Sequence, residues 1–128
     1  MTVAKVVDAS AIAALVFAEA EADAIAGRLM DAALVAPTLL AHELANVCVT
    51  KMRRDPARHS ELLAALALMG ELAIDERPVD AVQVAALAQA TQLTAYDAAY
   101  LWLSRTLGIE LVTLDSRLAR AAAAAARG

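Results

Sequence analysis

Val3-Ala4-Lys5-Val6-Val7-Asp8-Ala9-Ser10 decides the fold. The β-branched run from Val3 to Val7 predicts a short buried strand, closed by Asp8. Helix follows at once: Ser10 to Met30 predicts two short helices with a break near Ala18 to Glu21. The same strand-then-helix unit recurs. Leu34 to Ala36 predicts a second strand stopped by Pro37, and Thr38 to Arg54 a helix with Leu40, Leu44, Val47 and Lys51 at helical spacing. Asp55-Pro56 restarts the chain, with Pro56 near a first helical turn, and Glu61 to Leu72 continues that helix. Ala73 to Asp75 is a weak strand signal before Pro78. Val79 to Thr91 and Thr94 to Leu107 predict helices, the second closed by Gly108. Ile109 to Thr113 predicts the last strand, and Ser116 to Ala126 an alanine-rich terminal helix. Short strands alternating with longer helices imply an α/β domain around a parallel sheet. Neither linker nor repeat divides the chain, so residues 1–128 are expected to form one domain.

Composition narrows the function. Hydrophobic residues make up 61% of the 128 and charged residues 20%, which excludes a disordered chain. Aromatics are only 3%, too few for a stacking platform along single-stranded nucleic acid. The lone Cys48 excludes an internal disulfide framework and a zinc site built on several cysteines. A net charge of -4 argues against binding nucleic acid by bulk charge, but not against a nuclease that recruits phosphate through metal ions. The apolar run Leu62 to Met69 falls short of the ~18 residues a membrane span needs. The amino-terminal segment lacks the pattern of a signal peptide. A soluble cytoplasmic protein with no membrane partner is the expectation.

Ligands of open parallel sheets bind beyond the carboxyl ends of the strands. Asp8 and Asp115 sit at two such ends, each before a helix. Either also fits a helix N-cap, and Ser10 and Ser116 fit the same capping role. Thr94 and Asp97 have capping-box spacing, yet Asp97 shares a helical face with Tyr100, Leu101 and Ser104. Glu43 shares a face, or its edge, with Leu40 and Val47, where a carboxylate is costly without a partner. Converging carboxylates without basic partners repel and raise each other's pKa, a conflict that a divalent cation resolves. Mg²⁺ takes oxygen ligands, commonly few carboxylates with waters and substrate phosphate. The hydroxyls of Ser10, Thr113 and Ser116 are placed to orient carboxylates or waters. Such a site suits phosphodiester hydrolysis. His42, beside Glu43, points elsewhere on the helix and carries little weight.

Four segments together resemble a known family. They are Val6-Val7-Asp8-Ala9-Ser10, His42-Glu43-Leu44-Ala45-Asn46, Leu93-Thr94-Ala95-Tyr96-Asp97-Ala98-Ala99-Tyr100-Leu101 and Leu111-Val112-Thr113-Leu114-Asp115-Ser116-Arg117-Leu118. In this order and at these intervals the chain resembles a PIN-domain protein of the VapC toxin type. The resemblance implies a three-layer α/β/α fold with a short parallel sheet. It implies metal binding by Asp8, Glu43, Asp97 and Asp115, with one or two Mg²⁺ or Mn²⁺ ions activating water for endonucleolytic cleavage of RNA. Ser10 and Thr113 would support that site. It further implies a VapB-type antitoxin as partner, and a homodimer. Trp102 and Ser104 depart from the small alanines usual there, with Trp102 placed to alter packing or a dimer surface. Arg53 to Glu76 resembles nothing specific.

Arg53, Arg54, Arg58 and Arg117 are candidates for RNA phosphate contacts. The cluster of Lys51, Arg53, Arg54 and Arg58 equally reads as a solvated helix end. Two other functions compete with a metal-dependent endoribonuclease toxin. In a non-catalytic PIN-like module binding RNA or antitoxin, the acids would be mainly helix caps. In a phosphohydrolase, Asp8 would be the nucleophile, but Asp8-Ala9-Ser10 lacks the second aspartate of a DxD signature and leaves Glu43 idle. A Gly-rich phosphate loop is absent, with only 4 glycines in the chain.

Overall fold

The computed structural model describes residues 2–127, with side chains through residue 124. Four strands form one sheet: β1 (Val3–Val7), β2 (Ala32–Pro37), β3 (Asp75–Arg77) and β4 (Glu110–Val112). Their order is β3-β2-β1-β4, and every pairing is parallel. Seven helices join and follow them: α1 (Ala9–Val16), α2 (Ala22–Leu29), α3 (Leu40–Arg54), α4 (His59–Ala67), α5 (Ala81–Thr91), α6 (Ala95–Leu107) and α7 (Ser116–Arg127). Crossovers between parallel strands are right-handed. The chain steps from β1 to β2 to β3 in one direction, which carries α1 to α4 over one face. It then crosses back past β1 to β4, which carries α5 and α6 over the other. Helix α7 packs on α6 and β4. The result is an α/β/α sandwich.

The core follows from residue choice. Val6, Val7 and Val112 are fully enclosed at the middle of the sheet. Small residues let α1 approach closely: Ala11, Ala13 and Ala14 are buried beside Ile12. Helix α6 buries Ala98, Ala99, Tyr100, Leu101, Leu103 and Ser104, so it is apolar around most of its circumference. Its end is fixed twice. Gly108 takes a left-handed φ of 67°, and the Ser104 hydroxyl donates to the Ile109 carbonyl at 2.6 Å. Trp102 pins α6 to α5 by donating from Nε1 to Gln83 Oε1 at 2.8 Å.

Several expected boundaries move. Strand β2 begins at Ala32, earlier than the expected Leu34, because Ala32 and Ala33 pair with Val3 and Ala4. Its end falls at Pro37 rather than before it. Pro37 is its last residue, in register with Arg77, and the next free N–H, from Thr38, donates to the Arg77 carbonyl at 3.1 Å. Strand β3 is Asp75–Arg77, not Ala73 to Asp75. Ala73 instead takes a left-handed φ of 52° after a 3₁₀ turn. That turn, Leu68–Leu72, replaces the expected last turns of α4. The break between α1 and α2 falls where expected, at Ala18 with φ 51°.

Candidate active site

The sheet order places the acids. Strand β1 lies between β2 and β4, and the connections leave it in opposite directions. This is a topological switch point, where the loops diverge and leave a crevice. Val7 is in register with Val112, and the Asp8 N–H donates to the Val112 carbonyl at 3.4 Å. Asp8 therefore stands beside the Thr113–Asp115 loop. Glu43 comes from the first turn of α3, just past the carboxyl end of β2. Asp97 comes from the first turn of α6, the helix that crosses β1, β2 and β4.

Asp8 is the hub. It is 4% exposed. Its Oδ1 accepts from the Ser10 hydroxyl at 2.7 Å and from the Ala11 N–H at 3.0 Å, and its Oδ2 accepts from the Thr113 hydroxyl. Both hydroxyls are themselves steered by backbone. The Leu114 N–H donates to Ser10 Oγ at 2.9 Å, and the Asp115 N–H donates to Thr113 Oγ1 at 3.0 Å. With those lone pairs engaged, each hydroxyl hydrogen is free to point at Asp8. Burial nevertheless pushes the Asp8 carboxyl above its ordinary range, against the three hydrogen bonds that lower it, and the Asp115 charge adds to the rise.

The other acids feel the same field. Glu43 is raised by burial and then by the charges of Asp97 and Asp8, while the Tyr100 hydroxyl, which donates to Glu43 Oε1, opposes the rise. Asp97 is raised by burial, by Asp115 and by Asp8, with Thr94 and Arg117 pulling the other way. Asp8 thus repels all three of its companions. Among the described residues none of the four takes part in an ion pair. The salt bridges lie elsewhere, such as Lys5 and Arg28 on Glu110 and Lys51 on Glu19.

Capping and clustering turn out to be compatible. Asp8 caps α1 through Ala11, and Asp115 caps α7 by accepting from the Leu118 N–H at 2.8 Å. Capping engages Oδ1 of each carboxylate; in Asp8 the other oxygen accepts from the Thr113 hydroxyl. Ser10 and Ser116 do not cap. Each lies inside the first turn of its helix, where Ser10 braces Asp8 and Ser116 is exposed without a bond to the acids. The Thr94 hydroxyl caps α6 by accepting from the Asp97 N–H at 3.1 Å. No return bond from the Asp97 carboxylate to the Thr94 backbone is formed among the described residues, so that carboxylate stays available.

The arginines are not gathered with the acids. Arg53 and Arg54 end α3, about 15 Å along its axis from Glu43. Arg58 pairs with Glu61 at 3.0 Å. Arg117 alone lies near enough to act on Asp97. Sequence reasoning missed Tyr100, the partner that lets Glu43 sit half-buried. The signal was a tyrosine three residues after Asp97 on an apolar helix face, whose hydroxyl needs a partner when buried.

The sequence matches the family profile of the PIN domain over residues 5–124. The chain belongs to the PIN domain family. PIN domains are generally nucleases and usually metal-dependent ones. The crystal structure of PAE2754 from Pyrobaculum aerophilum is similar to this PIN domain, with 26% sequence identity and a TM-score of 0.69, covering 92% of this chain and 85% of that one. No curated protein matches the sequence. No helix among the described residues is long and apolar enough to cross a membrane.

The four acids offer only oxygen donors to the divalent cation such nucleases use. Among the described residues no group of three or more acidic, imidazole or thiol side chains is arranged to hold a metal ion, so there is no ready-made cage. A hydrated cation does not require one, because Mg²⁺ commonly takes one or two carboxylates and keeps several waters. All-oxygen donors, mutual repulsion and the lack of ion-pair partners fit that mode of binding.

Proposed function

We propose that this PIN domain is an Mg²⁺- or Mn²⁺-dependent endoribonuclease, the toxin of a VapBC-type pair. One observation carries the reading: four carboxylates, Asp8, Glu43, Asp97 and Asp115, share one field at the switch point of the sheet, and among the described residues none of them has an ion-pair partner. These four residues would hold the cation. When bound, the cation supplies a water of lowered pKa and neutralises charge on the attacked phosphate. The chain's own groups do the rest. Ser10 and Thr113 orient Asp8 and oppose its protonation, Tyr100 orients Glu43, and the cap to Leu118 fixes Asp115. Arg117, whose charge acts on Asp97, would meet a phosphate there.

The toxin assignment, a VapB-type antitoxin partner, a homodimer and a cytoplasmic location rest on the likeness of the four motif segments to VapC-type proteins. The experiment is cleavage of a pool of structured RNAs by purified, antitoxin-free protein with Mg²⁺, Mn²⁺ or EDTA. Discrete fragments that require metal and vanish with Asp97→Asn are the expected result. Fragments that persist in EDTA or in that variant would refute the reading.

A further inference from the structure

A cavity of about 430 Å³ opens beside the acids. Glu43 forms part of its wall, and two other walls are chain neighbours of the acids: Ala9 follows Asp8, and Tyr96 precedes Asp97. A chain whose phosphate stands at the acids therefore has this cavity next to it. We propose that the cavity is a nucleobase subsite that takes one unpaired base flanking the cut, with Tyr96 as its stacking surface and Asn46 as its reader. This rests on the nuclease reading above.

The lining decides the chemistry of the occupant. Among the described residues no lysine or arginine lines the cavity and Glu43 adds an acid to its wall, which disfavours a phosphate there. Leu39 and Val47 offer apolar surface, as a base face requires. Tyr96 is 65% exposed, an unusual setting for a large ring in a chain with 3% aromatics. Exposed aromatic rings beside polar side chains are how unpaired RNA bases are stacked and read. Asn46 presents a donor and an acceptor together, which matches the paired edge groups of a base. Among the described residues the side chains of Asn46 and His42 make no hydrogen bond; only the Asn46 backbone carbonyl is engaged, by the Thr50 hydroxyl at 3.0 Å. The volume lies at the lower end of the roughly 300–1,000 Å³ of small-molecule sites, which suits a single base.

Two measurements on the intact protein test this. The first is NMR titration in EDTA with the four ribonucleoside 5′-monophosphates. Shifts at the Asn46 side-chain amide and at the Leu39 and Val47 methyls are expected. The second maps fragment ends made with Mg²⁺ by wild type, Tyr96→Ala and Asn46→Asp. Tyr96→Ala should slow cleavage by about tenfold or more, the scale of one lost stacking contact. Asn46→Asp keeps the shape but turns the N–H donor into an acceptor, so it should change which base flanks the cut. A merely structural role would alter the rate and leave that base unchanged.

Unchanged ends in both variants, with no nucleotide shifts, would overturn the subsite while leaving the nuclease standing, and would assign the cavity to a protein segment instead. Nucleotide shifts in the cavity from a protein that cuts no RNA would support the subsite and refute the nuclease.

Discussion

Glu43 lies in a field that disfavours its charge, and that has a consequence for stability. Its carboxyl is raised above the ordinary value of 4.5 by burial first and by Asp97 and Asp8 next. A raised acid binds its proton more tightly folded than unfolded. Its contribution is therefore fully present below pH 4.5 and lost as pH rises through the folded value. Glu43→Gln removes the charge and keeps an oxygen for Tyr100. In EDTA the variant should melt above wild type at neutral pH, with the gap closing below pH 4.5; scanning calorimetry across pH reads this, and a variant that melts lower at neutral pH contradicts it. Thr113 acts in the opposite sense. Its hydroxyl is the largest influence lowering Asp8. Thr113→Val keeps the shape and drops the donor, so cleavage should fall by about 10- to 100-fold, the range for groups that orient metal-binding carboxylates. Circular dichroism should show the fold retained.

At the scale of elements, caps do much of the local work, and they test simply. Gly108 ends α6 with φ 67°, and nothing stands within 4 Å of where a Cβ would be. Gly108→Ala therefore costs only backbone strain, about 1–2 kcal/mol in denaturant unfolding. Gln92 ends α5 with φ 59°, a position glycine fills without that strain. Gln92→Gly should stabilise by about 0.5 kcal/mol, the strain relief less the extra freedom of the unfolded chain. Legibility varied with burial. Strand β1 read correctly from its β-branched run, although only Val6 and Val7 are buried and Val3 is exposed, and helix α6 from the apolar face it buries. Strand β3 did not. Asp75, Glu76 and Arg77 are all exposed on an edge, and only their pairing with Val35, Ala36 and Pro37 makes them a strand. A polar edge strand carries no hydrophobic pattern to read.

At the scale of the molecule, the four acids come from sites 18 to 107 residues apart, and no local pattern links such pairs as Asp8 with Asp115 or with Glu43. They were legible because each broke a local rule: a strand ended on an acid, or an apolar helix face carried one. Their convergence was expected from the sequence, but which acid stands beside which depends on strand order β3-β2-β1-β4, which periodicity does not encode. Nor was the cavity between α3 and the start of α6, because Asn46 and Tyr96 are ordinary surface residues until the helices meet. The central claim is that divalent cation binding relieves the repulsion among Asp8, Glu43, Asp97 and Asp115. Its most direct test is the melting temperature of wild type and Asp97→Asn titrated with Mn²⁺, since a ligand of the folded state raises that temperature with concentration. The account predicts a saturable rise for wild type and a much smaller one for the variant. No rise for wild type, or equal rises for both, would contradict it.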